Sequence, residues 1–237
     1  MNRVLALFAW ALLFGAAAHA QGAAAPTCTT SKCHADLTTA AVVHEPVKSG
    51  DCDSCHSRDT TKKAKPAIGH PALVRIQSRK ISAVCLPCHD GIENTLKTSP
   101  HKHPPVSDCT GCHQPHSSPN RALLKEPFTD KIHVEFDEKL FALCFQCHTL
   151  DETQFRNGEK NLHFFHLQDK GKGRSCRACH EPHASANPKL IRQWMPYQGL
   201  LLPIRFEATK TGGRCAAACH GAKRYDRVKA IANEAGR

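Results

Sequence analysis

Hydrophobic positions are concentrated at the very start of the chain. Arg3 is followed by an apolar run from Val4 to about Ala18, and Ala18-His19-Ala20 precedes Gln21. A basic start, a short apolar stretch and small residues at its exit are the pattern of an export signal over residues 1–20, too short to span a bilayer. Cys28 follows Ala25-Pro26-Thr27 rather than a small-residue lipobox, so no lipid anchor is expected. Beyond the signal, periodic apolar patterns are short. Val134 to Leu143 places Phe136, Leu140 and Leu143 on one side of an amphipathic helix, and Tyr225, Val228 and Ile231 suggest another near the end. Elsewhere Pro and Gly punctuate the chain. The expected fold is mainly irregular, with short α-helices and little or no β-sheet.

Cleavage after Ala20 would leave 217 of the 237 residues, rich in Lys, Pro, Cys and His, with Trp194, Tyr197 and Tyr225 the only aromatics besides Phe. Such a chain buries too little apolar surface of its own to offset the entropy of ordering it. Another component must supply the core.

The fourteen cysteines indicate what that component is. All fall in close pairs, each followed at once by histidine. Five pairs have two intervening residues: Cys52/Cys55-His56, Cys85/Cys88-His89, Cys109/Cys112-His113, Cys144/Cys147-His148 and Cys176/Cys179-His180. Two have longer loops, Cys28/Cys33-His34 and Cys215/Cys219-His220. In c-type haem attachment two cysteines form thioethers with the vinyl groups, and the adjacent histidine turns beneath the porphyrin to ligate iron. A disulfide framework gives no reason for histidine after every second cysteine. Zinc would want two pairs converging on each metal, and an odd number of pairs strands one. The expectation is seven covalent haem c groups, with the fourteen cysteines as attachment points and His34, His56, His89, His113, His148, His180 and His220 as proximal ligands.

Outside the motifs and the signal, nine histidines remain: His44, His70, His101, His103, His116, His133, His163, His166 and His183. They suffice to close seven irons from the other side, whereas Met195 is the only methionine left. Bis-histidine ligation predicts haems of low potential.

The motifs recur in pairs. Cys28 to Cys85 and Cys52 to Cys109 are each 57 residues, and Cys85 to Cys144 is 59. This divides the mature chain into doubled haem units at 21–80, 81–130 and 131–192 and a terminal single-haem segment at 193–237. His44-Glu45-Pro46-Val47 is echoed by His103-Pro104-Pro105-Val106. Cys112-His113-Gln114-Pro115-His116-Ser117-Ser118 is echoed by Cys179-His180-Glu181-Pro182-His183-Ala184-Ser185. These phrases resemble the doubled CxxCH family of multihaem c-type cytochromes, in which a His-x-Pro segment leads into CxxCH-x-Pro-His. The resemblance implies a periplasmic or cell-surface electron carrier wrapped around a closely packed chain of bis-histidine haems. It favours His44, His103, His116 and His183 as distal ligands. The first unit departs from the pattern, since Ser57 follows His56, and His70 in Gly69-His70-Pro71 is the substitute there. His166 takes the place before Cys176, with His163 and His101 as competitors, and His133 fills the remaining place.

With about 31 residues to each haem, neighbouring porphyrins would lie near contact. The formal charge of +11 falls to +10 without Arg3, and fourteen propionates would bring it to about −4, with lysines pairing to many of them. Nucleic acid is therefore not an expected partner. Lys62-Lys63-Ala64-Lys65 is a candidate docking run for an acidic redox partner, and reads equally well as a solvated linker. The expected role is electron transfer in the periplasm between redox proteins, from a quinol-oxidising membrane cytochrome toward an outer-membrane or terminal reductase complex, without stable membrane insertion and with no catalytic residues. Two alternatives are a nitrite, hydroxylamine or sulfur oxyanion reductase with one open iron, which needs acid–base groups beside it, and a homo-oligomeric or extracellular filament subunit.

Overall fold

The computed structural model describes residues 34–58, 74–76, 80–151, 154–171 and 173–233. The export signal, Cys28, Cys33, the lysine run at 62–65 and His70 lie outside them.

The helices are short, and each borders a motif or carries histidine. α1 (Glu45–Ser49) accepts Pro46 in its first turn, where a missing N–H costs nothing, and stops at Gly50 in the left-handed region with φ 76°. α2 (Ile81–Cys85) delivers Cys85, and α3 (Asp90–Thr98) starts immediately after His89. Asp90 and Glu93 in the first turn of α3 and Lys97 in its last suit the helix dipole. α4 (Ala142–Phe145) carries Cys144, and α5 (Leu162–Leu167) carries both His163 and His166.

Two miniature ladders pin distant segments together. β1 (Val42–Val43) pairs with a strand at Ser117–Ser118, and a strand at His101–Lys102 pairs with Ala184–Ser185. The remaining strands in chain order fix the numbering: β2 (His56–Arg58), β3 (Val74–Ile76), β4 (His101–Lys102), β5 (Ser117–Ser118), β6 (Arg156–Asn157), β7 (Lys160–Asn161) and β8 (Ala184–Ser185). β2 pairs with β3 and β6 with β7, both antiparallel.

The expectation of little or no β-sheet is overturned by the last segment. β9 (Trp194–Tyr197), β10 (Leu200–Ala208), β11 (Gly212–Ala217) and β12 (Lys223–Asp226) form one antiparallel sheet in the order β12-β11-β10-β9. Its first turn is two residues, Gln198 at φ 48° and Gly199 at φ 79°, because Tyr197 pairs with Leu200. Positive φ at both positions matches the twist of a tight hairpin. Gln in place of Asn hides that signal in the sequence. Gly212 and Gly213 let β12 close against β11, for a Cβ on Gly212 would lie 1.9 Å from the Tyr225 carbonyl oxygen.

Both expected helices also change. Val134 to Asp137 is not helical, and the helical segment starts at a Glu138–Phe141 turn capped by Asp137, whose carboxylate accepts from the Lys139 N–H at 3.0 Å. Phe141 is fully buried, with its ring stacked on Phe136 and edge-on to Phe145. Tyr225 lies in β12 rather than in a helix. The strand ends where the Asp226 carboxylate accepts from Val228 N–H at 2.8 Å and Lys229 N–H at 3.0 Å, and Asn157 holds Ile231 through both backbone groups at 2.8 Å. Local hydrogen bonds to Asp and Asn thus win over a weak helical pattern.

The protein's own core is small. Its buried cluster is Ala178, Met195 and Ile204, with Ile191, Leu202 and Cys215 against it, and it sits where the sheet meets the sixth motif. Replacing Gly212 with valine should keep β12 from pairing with β11 and give a product one haem lighter by intact mass. An unchanged mass and thermal midpoint would show that the sheet is not what presents Cys215.

Candidate haem sites

The first question is how each motif aims three side chains at one place. In the two-residue spacings the chain makes a single tight turn. Cys112 N–H donates to Cys109 O at 3.3 Å and Cys179 N–H to Cys176 O at 3.2 Å. One residue further, the histidine N–H reaches the first cysteine's carbonyl, at 2.9 Å for His113 and His180, 3.0 Å for His148 and 3.2 Å for His89. A four-residue bond of this kind places the first cysteine and the histidine on one helical face. The last motif uses different means. Cys215 stands in β11 opposite Phe206 and Lys223, and the turn after the strand absorbs the additional residue, with His220 N–H donating to Ala217 O at 3.1 Å.

Six motif histidines each face a histidine from outside the motifs. The ring centres of His44 and His89 are 6.1 Å apart, those of His56 and His116 6.0 Å, His103 and His148 6.1 Å, and His113 and His183 6.2 Å. His163 faces His180 at 6.3 Å and His166 faces His220 at 6.5 Å. The first five pairs are within 28° of parallel, and the last is tilted by 44°. Direct stacking would bring rings closer. Two metal–nitrogen bonds of about 2 Å, plus roughly 1 Å from each nitrogen to its ring centre, set coaxial imidazoles about 6 Å apart. The gap fits an iron porphyrin between the rings. The residues present therefore suit haem c, and haem would supply redox-active iron at each gap.

In five of the twelve facing histidines the second ring nitrogen is held as ligands require, while Nδ1 of His56 and His163 is buried with no partner among the described residues. A ligating histidine fixes its orientation by hydrogen-bonding its other nitrogen to a carbonyl or carboxylate. Nδ1 of His44 bonds Pro115 O at 2.9 Å, His113 bonds Ala122 O at 2.8 Å, His166 bonds Leu162 O at 2.7 Å, His180 bonds Lys189 O at 3.0 Å and His220 bonds Gly221 O at 2.7 Å. Nε2 is thereby left to face the gap. Burial pushes His103, His116, His166, His180 and His183 toward the neutral form and carries His163 down to about 4. Neutral imidazole is the species that binds metal.

The support behind these histidines is built twice. The Ala122 and Lys189 carbonyls are presented by residues in the left-handed region, Ala122 and Leu123 in one copy, Lys189 and Leu190 in the other, with φ of 53–57°. Ser118 Oγ donates to Leu124 O and Ser185 Oγ to Ile191 O, closing both loops from below. Each loop then hands its downstream histidine back along the chain. His44 N–H donates to His116 O at 2.9 Å, and His103 N–H to His183 O at 3.0 Å. The β1–β5 and β4–β8 ladders run directly into these bonds.

Sulfurs of successive motifs also meet. The thiols of Cys85 and Cys109 are in hydrogen-bond contact, as are those of Cys144 and Cys176, and the latter contact with burial pushes the Cys176 thiol up. Cys55 is close enough to Cys88 to act on its charge, Cys112 to Cys144 and Cys147, and Cys179 to Cys215 and Cys219. At the other end His34 acts on His116. The motifs thus adjoin one another in sequence order.

His133 faces no motif histidine. Its Nδ1 accepts from Arg174 at 2.8 Å, and its ring meets the edge of Tyr197. The place assigned to it from the sequence is taken by His163, opposite His180. His101 sits in β4, its backbone paired with Ser185. The sequence singles out His44, His103, His116, His166 and His183, each of which faces a motif histidine in the structure, but not their pairing, because five of the six pairs join residues 45 or more positions apart. Only the spacing of His163 and His166 on α5 could have indicated that both serve.

These gaps, flanked by imidazoles and reached by paired cysteines, define a c-type haem protein. The doubled CXXCH motif family matches the chain twice in tandem, at residues 44–94 and 103–153. These two segments carry the doubled motif of multihaem c-type cytochromes, a match that supports covalent haem and electron transfer as the general role. No curated protein and no solved structure gives a significant match. Each matched segment opens with the histidine that faces its own second motif, His44 with His89 and His103 with His148. No helix among the described residues is long and apolar enough to cross a membrane.

The histidine assignments can be separated by electron paramagnetic resonance of the oxidised holoprotein. His163→Ala should turn one haem high-spin, while His133→Ala should leave the spectrum low-spin throughout. The reverse outcome would exchange the two residues.

Proposed function

We propose that this protein is a low-potential heptahaem cytochrome that carries electrons along its haem chain between exported redox partners, without catalysing a reaction itself. The observation that carries the reading is the set of six histidine pairs, each a motif histidine facing one outside the motifs at a spacing suited to iron between them. Two imidazoles on an iron leave no position for substrate, and bis-histidine ligation lacks the thioether sulfur that raises the potential. The sequential contacts between motif sulfurs support short steps from one haem to the next. Seven haems follow from the seven cysteine pairs of the sequence.

The export-signal pattern at residues 1–20 and covalent haem attachment agree with a periplasmic or cell-surface location. A quinol-oxidising membrane cytochrome on one side and an outer-membrane or terminal reductase complex on the other are the partners this role calls for.

Intact mass should give seven haem additions, and the reduced protein should show six-coordinate low-spin bands with no change under carbon monoxide. Rapid carbon monoxide or nitrite binding at one iron would replace this reading with a reductase.

A further inference from the structure

The terminal sheet has two chemically different faces. Strand alternation puts Phe206, Cys215 and Tyr225 on the face that carries the seventh motif. The opposite face carries Arg205, Glu207, Arg214, Arg224 and Asp226. Across it runs a row in register, Glu207 opposite Arg214 and Arg214 opposite Arg224. Glu207 pairs with Arg214 at 3.1 Å, and the Asp226 carboxylate is engaged by Thr211 and by the Val228 and Lys229 N–H groups. Arg205, Lys210 and Arg224 are exposed, and none of the three forms an ion pair with a carboxylate among the described residues.

Like charges directly opposite on neighbouring strands destabilise a sheet, so the Arg214–Arg224 juxtaposition gains the fold nothing. Between residues 205 and 229 there are seven Lys and Arg against two Asp and Glu. Between 80 and 151 the balance is seven against nine. The terminal segment is thus more basic than residues 80–151, and it lies where the chain of motifs ends, for Cys215 and Cys219 adjoin only the sixth motif among the sulfur contacts above. Cys219 and His220 are exposed at the edge of this sheet.

We infer that the outer face of the terminal sheet, centred on Arg205, Lys210 and Arg224, is the docking surface for an acidic redox protein that exchanges electrons with the haem at Cys215, Cys219 and His220. The inference rests on the electron-transfer reading and adds to it a partner chemistry and a terminal haem. Opposed surface charge accelerates encounter and makes the rate depend on salt. One electron passes from the reduced partner to the ferric terminal haem, giving ferrous haem and the oxidised partner, with no bond formed or broken.

The probe is reduced plant-type ferredoxin, an acidic iron–sulfur protein, mixed with oxidised holoprotein in a stopped-flow instrument. Arg205→Glu/Lys210→Glu/Arg224→Glu should lower the second-order rate about tenfold at low salt, and high salt should abolish the difference. The matched reversal Lys97→Glu/Lys102→Glu/Lys139→Glu should change it less than twofold. Both variants should keep the wild-type spectrum, since all six positions are on the surface, and their potentials are measured so that rates are compared at known driving force. Equal slowing in both variants means that only net charge matters, and no slowing in the first means that the partner docks elsewhere; either overturns the surface. A wild-type protein that accepts no electrons from ferredoxin at any salt, though fully loaded and reducible by dithionite, would instead count against the electron-transfer reading.

Discussion

The fold depends on one spacing, the gap of about 6 Å that two imidazoles keep when a metal stands between them. Six pairs in this chain hold that distance, and the protein between them is little more than the loops needed to do so. Among the described residues, buried apolar side chains are few, and the largest is Phe141. A polypeptide this poor in apolar core gains order by gripping flat, greasy cofactors from both sides. Each gap has a motif histidine on one side and a second histidine on the other.

Much of this is written in local sequence. Cysteine pairs with a following histidine mark the motifs, and the twin phrases containing His116 and His183 mark two of the histidines that face them. The pairing is not local. His116 faces His56, and His183 faces His113, each reaching backward past two intervening motifs. No propensity or periodicity encodes such a reach. It is set by the β1–β5 and β4–β8 ladders, only two residues long, which no pattern distinguishes from loop. His133 and His163 differ for a similar reason. Both are single histidines near the sixth motif, and only α5, capped by the Asn161 side chain, turns His163 into place while His133 is drawn to Arg174.

The sheet was illegible for another reason. Its strands contain Pro196, Pro203 and paired glycines, residues that weaken a strand reading. In the folded chain the glycines allow close approach of β12 and the tight turn at Gln198-Gly199 closes the first hairpin. The result is a rigid strand beneath the last cysteine pair, where the wider spacing makes a helical turn a poor fit. The additional residue between Cys215 and Cys219 is accommodated by a change of scaffold.

The backward reach of His116 and His183 has a consequence for biogenesis. A chain emerging from its N-terminus presents His56 some 60 residues before its opposite ligand, and His113 some 70 before its own. Each early site therefore waits, one-sided, until much later sequence arrives. A product cut before residue 116 lacks the histidine that faces His56, and one cut before residue 183 lacks the histidine that faces His113. The two ladders close in chain order, β1–β5 once residue 118 has emerged and β4–β8 only after residue 185, so closure runs from the N-terminal side toward the C-terminal side.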